Sequence, residues 1–453
     1  MLNSVNLLAT AGDVALSWTS PIYPKLYSND SSVNPLGRPI TEDEDGWLGS
    51  LVTIGAIVGP LPFTFIAGKF GRKISILCIA VPYIISYCTM AFARTIYLYY
   101  FGRVLAGLGM GGGYAVLPMY IAEISEDSNR GMMTMTLNVF WALGDFIPFA
   151  VGPFLSIMWF NIILAAIPIV FVVIFYSIGI ETPYYLVGVN RIEEAEKSLL
   201  KLRSAKNKGV PRELENIQIH LKEDEGGHFS DILRRKELRK AFIICMVLIT
   251  AQALSGFSAI TFYLQSIFEA SGTSISPEIS SLVFGLGLLM SSFFAPVLID
   301  RLGRRILTIS SCFGTSLSLL LIGAFFYIKD STDLSTDSIF WIPILSLILF
   351  IFSLNFGLGA IPFTLCSELF PNNVKQIAAS AVSSMCWIAT FIITRFFNDM
   401  NAGMGIAGSF WFFSASCLAA TIFSIIFVPE TKGKSFSDIQ DMLKYGSAKK
   451  GNK

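Results

Sequence analysis

Charged residues that could form ion pairs occur in three clusters, and each cluster is repeated later in the chain. Gly-Lys-Phe-Gly-Arg-Lys at 68–73 matches Asp-Arg-Leu-Gly-Arg-Arg at 300–305, Ala-Glu-Ile-Ser at 122–125 matches Ser-Glu-Leu-Phe at 367–370, and Glu-Thr-Pro at 181–183 matches Glu-Thr-Lys at 430–432. A cation follows the acid of the second cluster by seven residues in both copies, Arg130 after Glu123 and Lys375 after Glu368. Because the charges recur in one order, we predict that they form ion pairs between helix ends.

One further acid stands inside an apolar segment, which begins near Met1 and stops by Pro21. An ionisable group in a membrane helix is costly, so Asp13 is expected to have a partner or a function. It could belong to a structural pair or a frayed helix end, or it could carry a proton. The segment has no basic flank and does not resemble a signal peptide. We therefore expect the true start of the chain to lie upstream.

Groups for enzymatic or metal chemistry are not assembled in the sequence. The seven cysteines are scattered without a CxxC pair, and both histidines lie in one polar block near the middle of the chain. The glycines at 107–112 fit G-x-G-x-x-G, but they stand inside an apolar stretch and not after a strand, so we interpret them as close helix packing. We expect no enzymatic activity, no cofactor and no metal.

The elements that carry these residues are long apolar stretches. Hydrophobic residues make up 53% of the 453 positions and charged residues 14%, against roughly 25% charged residues in soluble domains. A helix needs about 20 apolar residues to cross a bilayer, and about twelve stretches of that kind are present. The sequence predicts an all-α membrane protein with two pseudo-symmetric six-helix halves.

The polar block divides the chain, and its basic residues suggest an orientation. We predict a first half at 1–181, a cytoplasmic helical linker at 182–240, a second half at 241–430 and a cytoplasmic tail at 431–453. Lys and Arg accumulate on the side of the linker and of both termini, which the positive-inside rule places in the cytoplasm. The sequon at Asn29 falls in the first outer loop, where we predict glycosylation. We predict that the protein lies in the plasma membrane.

The repeat indicates how the protein works. Parallel repeats of this kind are a transporter architecture with a substrate site near the midplane, so the charged clusters could hold the inner side closed. The predicted gating network is Arg72, Lys73, Glu123, Arg130, Glu181, Asp300, Arg301, Arg304, Arg305, Glu368, Lys375 and Glu430. The net charge of +1 suggests neither a nucleic-acid partner nor an anionic substrate. The expected partners are a small neutral solute and the lipid bilayer, and no obligate protein partner is evident.

At this point the chain resembles the sugar porter branch of the major facilitator superfamily. The motifs are Gly102-Arg103, Pro-Met-Tyr-Ile-Ala-Glu-Ile-Ser at 118–125 with Arg130-Gly131, Gln-Ala-Leu-Ser-Gly at 252–256, the residues at 300–305, Gly-x-Gly-Ala-Ile-Pro at 357–362, Ser-Glu-Leu-Phe-Pro at 367–371 and Pro-Glu-Thr-Lys-Gly at 429–433. Within this branch, Trp-Thr-Ser-Pro at 18–21 resembles the insect facilitated trehalose transporters. The resemblance implies twelve helices, cytoplasmic termini and alternating access to a neutral sugar.

The resemblance also implies a set of substrate contacts, several of them altered here. The family's sugar-binding positions fall on Asn138, Gln252, Ser258, Tyr263, Asn355, Phe363 and Trp387, and Ser255 is a further polar candidate. Ala253, Leu288 and Cys386 stand where the family has amides. In proton-coupled members an acid of the first helix pairs with an arginine of the fourth, here Arg103. Asp13 lies about one residue from the family's position for that acid, which falls nearer Val14.

Several functions remain open at this stage. The leading hypothesis is facilitative transport of trehalose or a hexose. A proton-coupled sugar symporter is the nearest alternative, and uptake that is concentrative and pH-dependent would distinguish it. The altered contacts leave room for a carrier of another small organic solute. A sugar sensor that does not transport is also conceivable, although such receptors usually have a long signalling tail.

Overall fold

The computed structural model is helical through most of the residues that it describes. These are residues 2–126, 130–203, 210–223, 229–272, 275–332, 337–432, 434, 439 and 442–444, and inside some helices only the backbone is described. No strand occurs in these ranges. The predicted all-α fold class is therefore confirmed. The contacts divide the chain into two compact units, Met1–Glu225 and Gly226–Lys453.

In its described residues, the first unit has eight helices that carry its apolar sequence, followed by three helices of the polar block. In order, they are α1 (Leu2–Ser17), α2 (Thr19–Leu26), α3 (Glu42–Val58), α4 (Pro60–Lys69), α5 (Arg72–Ala91), α6 (Ile96–Ile124), α7 (Arg130–Val151), α8 (Ile157–Ile178), α9 (Pro183–Gly188), α10 (Ile192–Arg203) and α11 (Val210–Glu223). A 3-10 turn at Gly152–Phe154 follows α7.

Nine further helices lie in the described residues of the second unit. They are α12 (Phe229–Arg234), α13 (Lys236–Ala253), α14 (Phe257–Phe262), α15 (Leu264–Ser271), α16 (Pro277–Leu302), α17 (Arg304–Ser331), α18 (Ile342–Phe356), α19 (Ile361–Leu369) and α20 (Asn372–Phe427). A 3-10 turn at Asp337–Ile339 precedes α18.

The helices account for the predicted number of crossings. Ten stretches in the described ranges are long and apolar enough to span a membrane. One of them, Ile377–Phe427, contains two crossings because Gly405 has a non-helical backbone (φ 73°, ψ 164°) and interrupts α20. Helices α1 and α2 continue one another through helical backbone at Trp18 and supply a further segment. The chain is a multi-pass helical membrane protein.

Helices α3 and α6 show how small residues hold the first unit together. A Cβ atom built on Gly107 would lie 1.9 Å from the carbonyl oxygen of Val52, and one built on Gly55 would lie 2.2 Å from that of Val104. The two backbones therefore touch at a distance that only glycine permits, as is common where membrane helices associate. The glycines of the G-x-G-x-x-G pattern pack helices, as predicted.

The helices of the polar block pack against the preceding helices of the first unit. Arg203 at the end of α10 is buried, and its guanidinium donates to the backbone carbonyls of Ile124 (2.7 Å) and Ser125 (3.0 Å) at the end of α6. The hydroxyl of Ser198 donates to the carbonyl of Glu181 at 2.7 Å. These contacts explain why the first compact unit extends to Glu225, inside the segment predicted as a linker.

Candidate functional site

The charged clusters of the first unit meet where α5, α6 and the segment before α9 come together. The guanidinium of Arg72 donates to both carboxylate oxygens of Glu123, at 3.1 Å from Nε and 3.0 Å from Nη2. The Thr182 hydroxyl donates to the same carboxylate at 2.6 Å. The backbone N–H groups of Arg72 and Lys73 donate to the carboxylate of Glu181 at 2.9 and 3.2 Å. One acid thus binds a cation and the other holds a helix N-terminus.

The second unit repeats this arrangement residue for residue, although both nitrogens of its arginine approach one carboxylate oxygen. Nε and Nη2 of Arg304 lie 3.1 and 2.9 Å from Oε1 of Glu368, and the Thr431 hydroxyl donates to Oε2. The backbone N–H groups of Arg304 and Arg305 donate to Glu430 at 3.0 and 3.1 Å. The internal repeat therefore extends from the sequence to individual hydrogen bonds.

A glycine with left-handed φ makes both arrangements possible. Gly71 (φ 107°, ψ 158°) and Gly303 (φ 90°, ψ 159°) precede α5 and α17. Their backbone aims the first N–H groups of each helix at the acid, and the helix dipole favours a negative charge there. A Cβ atom at Gly71 would lie 2.2 Å from Oε2 of Glu181, and one at Gly303 would lie 2.6 Å from Oε2 of Glu430. Any side chain at either position would displace the carboxylate.

The two helix-capping acids differ in their electrostatics. Burial raises the pKa of Glu181 although three backbone N–H groups donate to it. Glu430 is less buried. Desolvation acts to raise its pKa too, but the backbone N–H groups that surround it outweigh this effect and hold its pKa below the usual range. The same structural role is thus filled by an acid with a raised pKa in one unit and a lowered pKa in the other.

This difference predicts opposite pH trends for matched glutamine variants. Ionised Glu430 stabilises the fold above its unfolded pKa and loses that contribution as the pH falls through its folded pKa. We expect the difference in melting temperature between the native protein and Glu430→Gln to narrow on acidification. For Glu181→Gln, whose acid has the raised pKa, the difference should narrow as the pH rises. Thermal unfolding in detergent across pH tests this, and trends of the same sign in both variants would contradict it.

The other residues of the predicted network contact backbone or line a cavity. The side chain of Lys73 donates to the carbonyl of Tyr176 at 3.2 Å, and that of Arg305 to the equivalent carbonyl of Ile425 at 2.6 Å. Arg301 is exposed, and Lys375 lines a cavity together with Glu368. The side chains of Arg130 and Asp300 lie outside the described part of the structure.

Asp13 and Arg103 are both buried, and their hydrogen bonds go to different groups. The carboxylate of Asp13 accepts from the hydroxyl of Tyr114 at 2.9 and 3.0 Å. The guanidinium of Arg103 donates to the backbone carbonyls of Ala15, Leu48 and Gly49. Arg103 thereby ties together α1, α3 and α6, which is a structural role for a buried cation.

Sequence reasoning missed a second buried acid in the same unit. Asp145 on α7 is 4% exposed and accepts from the hydroxyl of Ser17 at 2.6 Å. A Cβ atom on the adjacent Gly144 would lie 3.1 Å from the Cβ of Asp13, so the helices touch here. The signal was the one that singled out Asp13, an acid inside an apolar stretch.

The predicted sugar contacts of the second unit centre on Gln252 at the end of α13. Its amide nitrogen donates to the carbonyl of Gly359 at 3.1 Å, in the break between α18 and α19. Its amide oxygen is buried without a hydrogen-bond partner among the described residues. Ser255 donates to the Gln252 carbonyl at 2.6 Å, and Gly256 (φ 77°) then separates α13 from α14. One amide group thus links two helix breaks and offers an acceptor.

The remaining predicted contacts have varied surroundings. The amide nitrogen of Asn355 donates to the hydroxyl of Ser291 at 2.6 Å, and the ring of Tyr263 lies 5.1 Å from that of Phe397. Five of the predicted residues differ in exposure: Ser258 is half-buried, Phe363 is exposed, Trp387 is buried, Asn138 is exposed on α7, and Asn29 is exposed in the loop after α2.

Comparison with known proteins identifies the family. The model of the family described as sugar (and other) transporter matches residues 21–443. The chain belongs to this family. The resemblance that the motifs indicated is confirmed, and the protein is a membrane transporter and not an enzyme.

Two insect relatives and one bacterial structure are similar to this sugar transporter family member. It is 33% identical to the facilitated trehalose transporter Tret1 of Bombyx mori over 91% of this chain and 82% of the relative. Its identity with Tret1 of Polypedilum vanderplanki is 34%, over 88% and 80%. The structure of the xylose transporter XylE from E. coli shares the fold, with a TM-score of 0.78, 21% identity and coverage of 96% and 99%.

Proposed function

We propose that this transporter carries a neutral sugar, trehalose or a hexose, through the plasma membrane by facilitative alternating access. The two insect relatives named above are facilitated trehalose transporters and are similar over most of both chains. The pseudo-symmetric charge networks support the alternating-access part of the proposal. Each network consists of an ion pair, a threonine and a helix-capping acid. These contacts could hold the cytoplasmic side shut, and they would break when that side opens. We also propose that the charge networks face the cytoplasm, with both termini on the same side and Asn29 on the extracellular side.

The observation that carries the sugar proposal is the unpaired oxygen of Gln252. A buried polar atom without a partner costs about 1–3 kcal/mol, so such an atom is expected to bind a ligand or water. A sugar hydroxyl is a suitable donor. The amide nitrogen donates to the carbonyl of Gly359 in the break between α18 and α19. A sugar bound at the amide oxygen would therefore be linked through this side chain to the interrupted helix.

Gln252→Ala should raise the KM for trehalose uptake by roughly tenfold, because one buried hydrogen bond is worth about that factor in binding. The measurement is competitive uptake in proteoliposomes with trehalose, glucose and non-sugar solutes. Gln218→Ala on α11 is a matched control, and it should leave KM unchanged. Uptake of non-sugar solutes alone would overturn the sugar proposal, and an unchanged KM in Gln252→Ala would remove this residue from the site.

A proton symporter is the second candidate, and the buried pair of Asp13 and Asp145 favours it. Two acids at low exposure on touching helices could bind one proton between them. Our proposal of facilitative transport predicts that Asp13→Asn and Asp145→Asn keep the pH profile of uptake unchanged. Uptake is measured with and without an imposed proton gradient. Gradient-driven accumulation that either variant abolishes, with sugar exchange retained, would establish symport instead.

A further inference from the structure

A basic cavity lies beside the charge network of the second unit. It has a volume of about 690 Å³ and is lined by described residues from α17, the end of α19, the start of α20 and the segment after α20. Among the described lining residues, the charged ones are Arg304, Lys375, Lys432 and Lys434 with the acid Glu368. Cations thus outnumber the acid in the described lining, and the gating role of the network does not require Lys432 and Lys434.

The internal repeat shows that this basic character is specific to the second unit. Glu181-Thr182-Pro183-Tyr184-Tyr185 in the first unit corresponds to Glu430-Thr431-Lys432-Gly433-Lys434 in the second. In the first unit the ring of Tyr185 lies 5.3 Å from the guanidinium of Arg72, and its hydroxyl donates to the Lys69 carbonyl at 3.0 Å. An aromatic side chain thus covers the arginine there. In the second unit a lysine takes the place of that ring.

Lys432 and Lys434 are not paired with the carboxylate of Glu368. The carboxylate of Glu368 already binds Arg304 and the hydroxyl of Thr431. The ammonium group of Lys432 donates to the carbonyl of Arg301 at 2.7 Å, and that of Lys434 lies 2.9 Å from the sulfur of Met442. A carbonyl and a thioether leave the charge of each ammonium uncompensated.

The start of α20 adds a second feature that favours an anion. Pro371, which lines the cavity, is the residue before this long helix, and its own side chain makes no capping hydrogen bond. The first N–H groups of a helix carry partial positive charge and bind phosphate groups well. Lysines and a helix N-terminus therefore converge on one cavity.

We propose that this cavity binds a phosphate-bearing anion, either the phosphorylated headgroup of a membrane lipid or a free phosphate ester. A phosphate group carries more charge and more acceptor oxygens than a carboxylate, which suits several ammonium donors around one space. The bound anion contacts the lysines that follow Thr431 and lies against the pair of Arg304 and Glu368. Its binding would therefore affect the network that we propose as the inner gate. The binding itself does not require that the network act as a gate.

The test measures binding to the purified full-length protein. The thermal shift in detergent is titrated with inorganic phosphate and with inositol trisphosphate, and the protein is also reconstituted in phosphatidylcholine vesicles with and without a phosphoinositide. We expect Lys432→Gln/Lys434→Gln to weaken inositol trisphosphate binding at least about tenfold, because two charge-assisted contacts are lost. Stabilisation by soluble phosphates identifies a free ester as the ligand, and stabilisation by the phosphoinositide alone identifies a lipid.

Two controls keep the outcome decisive. Lys197→Gln/Lys201→Gln removes two exposed lysines from α10 and should bind the probes like the native protein. If the double variant at 432 and 434 fails to fold, Lys434→Gln alone serves, because its ammonium contacts only a weak acceptor in the described structure. The proposal is wrong if no probe stabilises the native protein, or if the cavity variant binds as tightly as the native protein or the α10 variant.

Discussion

Replacing Gly107 by valine is expected to prevent the first unit from folding. The new Cβ would stand 1.9 Å from the carbonyl oxygen of Val52, which belongs to the backbone of α3 and cannot rotate away. The helices would have to separate, and overpacking typically costs about 1–3 kcal/mol and occasionally more, with the upper end expected here because backbone must move. The contact of Gly55 with the Val104 carbonyl would be lost at the same time. Folding is measured by the yield of monodisperse protein and by its melting temperature.

Gly113→Ala is the matched control for this prediction. Gly113 lies on the same helix, but the nearest atoms to its Cβ position belong to the side chains of Leu117 and Tyr83 at 3.7 Å, an ordinary van der Waals distance. The alanine variant should fold like the native protein or slightly better, because glycine is costly within a helix. A folded Gly107→Val with a native melting temperature would show that α3 and α6 are not held together at this point.

The fold class and the repeat could be predicted because they depend on properties that a sequence shows directly. A bilayer fixes how long an apolar helix must be, so helix number follows from counting. The charged clusters recur in order, so ion pairs between helix ends could be predicted from the repeat, but the repeat does not say that Arg72 binds Glu123 and Arg304 binds Glu368. What the sequence does not show is that Glu181 and Glu430 bind backbone N–H groups, since this depends on the φ of the preceding glycine.

The partners of the buried acids could not be predicted for a different reason. Asp13 contacts Tyr114, and Ser17 contacts Asp145, across more than one hundred residues. Which residues meet depends on the rotation of each helix about its axis. The sequence shows that side chains i and i+4 share one face of a helix, but it does not show which other helix packs against that face. The family resemblance suggested Arg103 as the partner of Asp13, and the structure shows that this arginine donates to the carbonyls of Ala15, Leu48 and Gly49.

The surroundings of the substrate contacts could not be predicted either, because they too depend on which helices meet. Gln252 was predicted as a contact from its motif, but its link to the carbonyl of Gly359 joins α13 to the break after α18, and neither the link nor the unpaired oxygen is visible in the sequence. The repeat helped most where its copies differ. Tyr185 and Lys434 occupy equivalent positions, and their different chemistry points to the basic cavity.

Gly71→Ala and Gly303→Ala are expected to abolish transport and to destabilise the protein by about 3 kcal/mol or more each. Backbone with φ near 100° and ψ near 160° is nearly restricted to glycine and costs about 1–3 kcal/mol for other residues. The added Cβ would also displace the carboxylate of Glu181 or Glu430 from the helix N-terminus, which loses two hydrogen bonds to a charged group. Melting temperature and sugar uptake in proteoliposomes are measured together.

Gly68→Ala and Gly403→Ala are the matched controls. Both glycines lie in helices, and no atom approaches within 4 Å of their Cβ positions, so these variants should keep native stability and uptake. Because the two turns are equivalent, the variants at 71 and 303 should fail alike, which tests the structural repeat itself. If Gly303→Ala kept its melting temperature and lost uptake, the turn would act in transport and not in folding. If both variants kept full uptake, the capping acids would have no part in the gate.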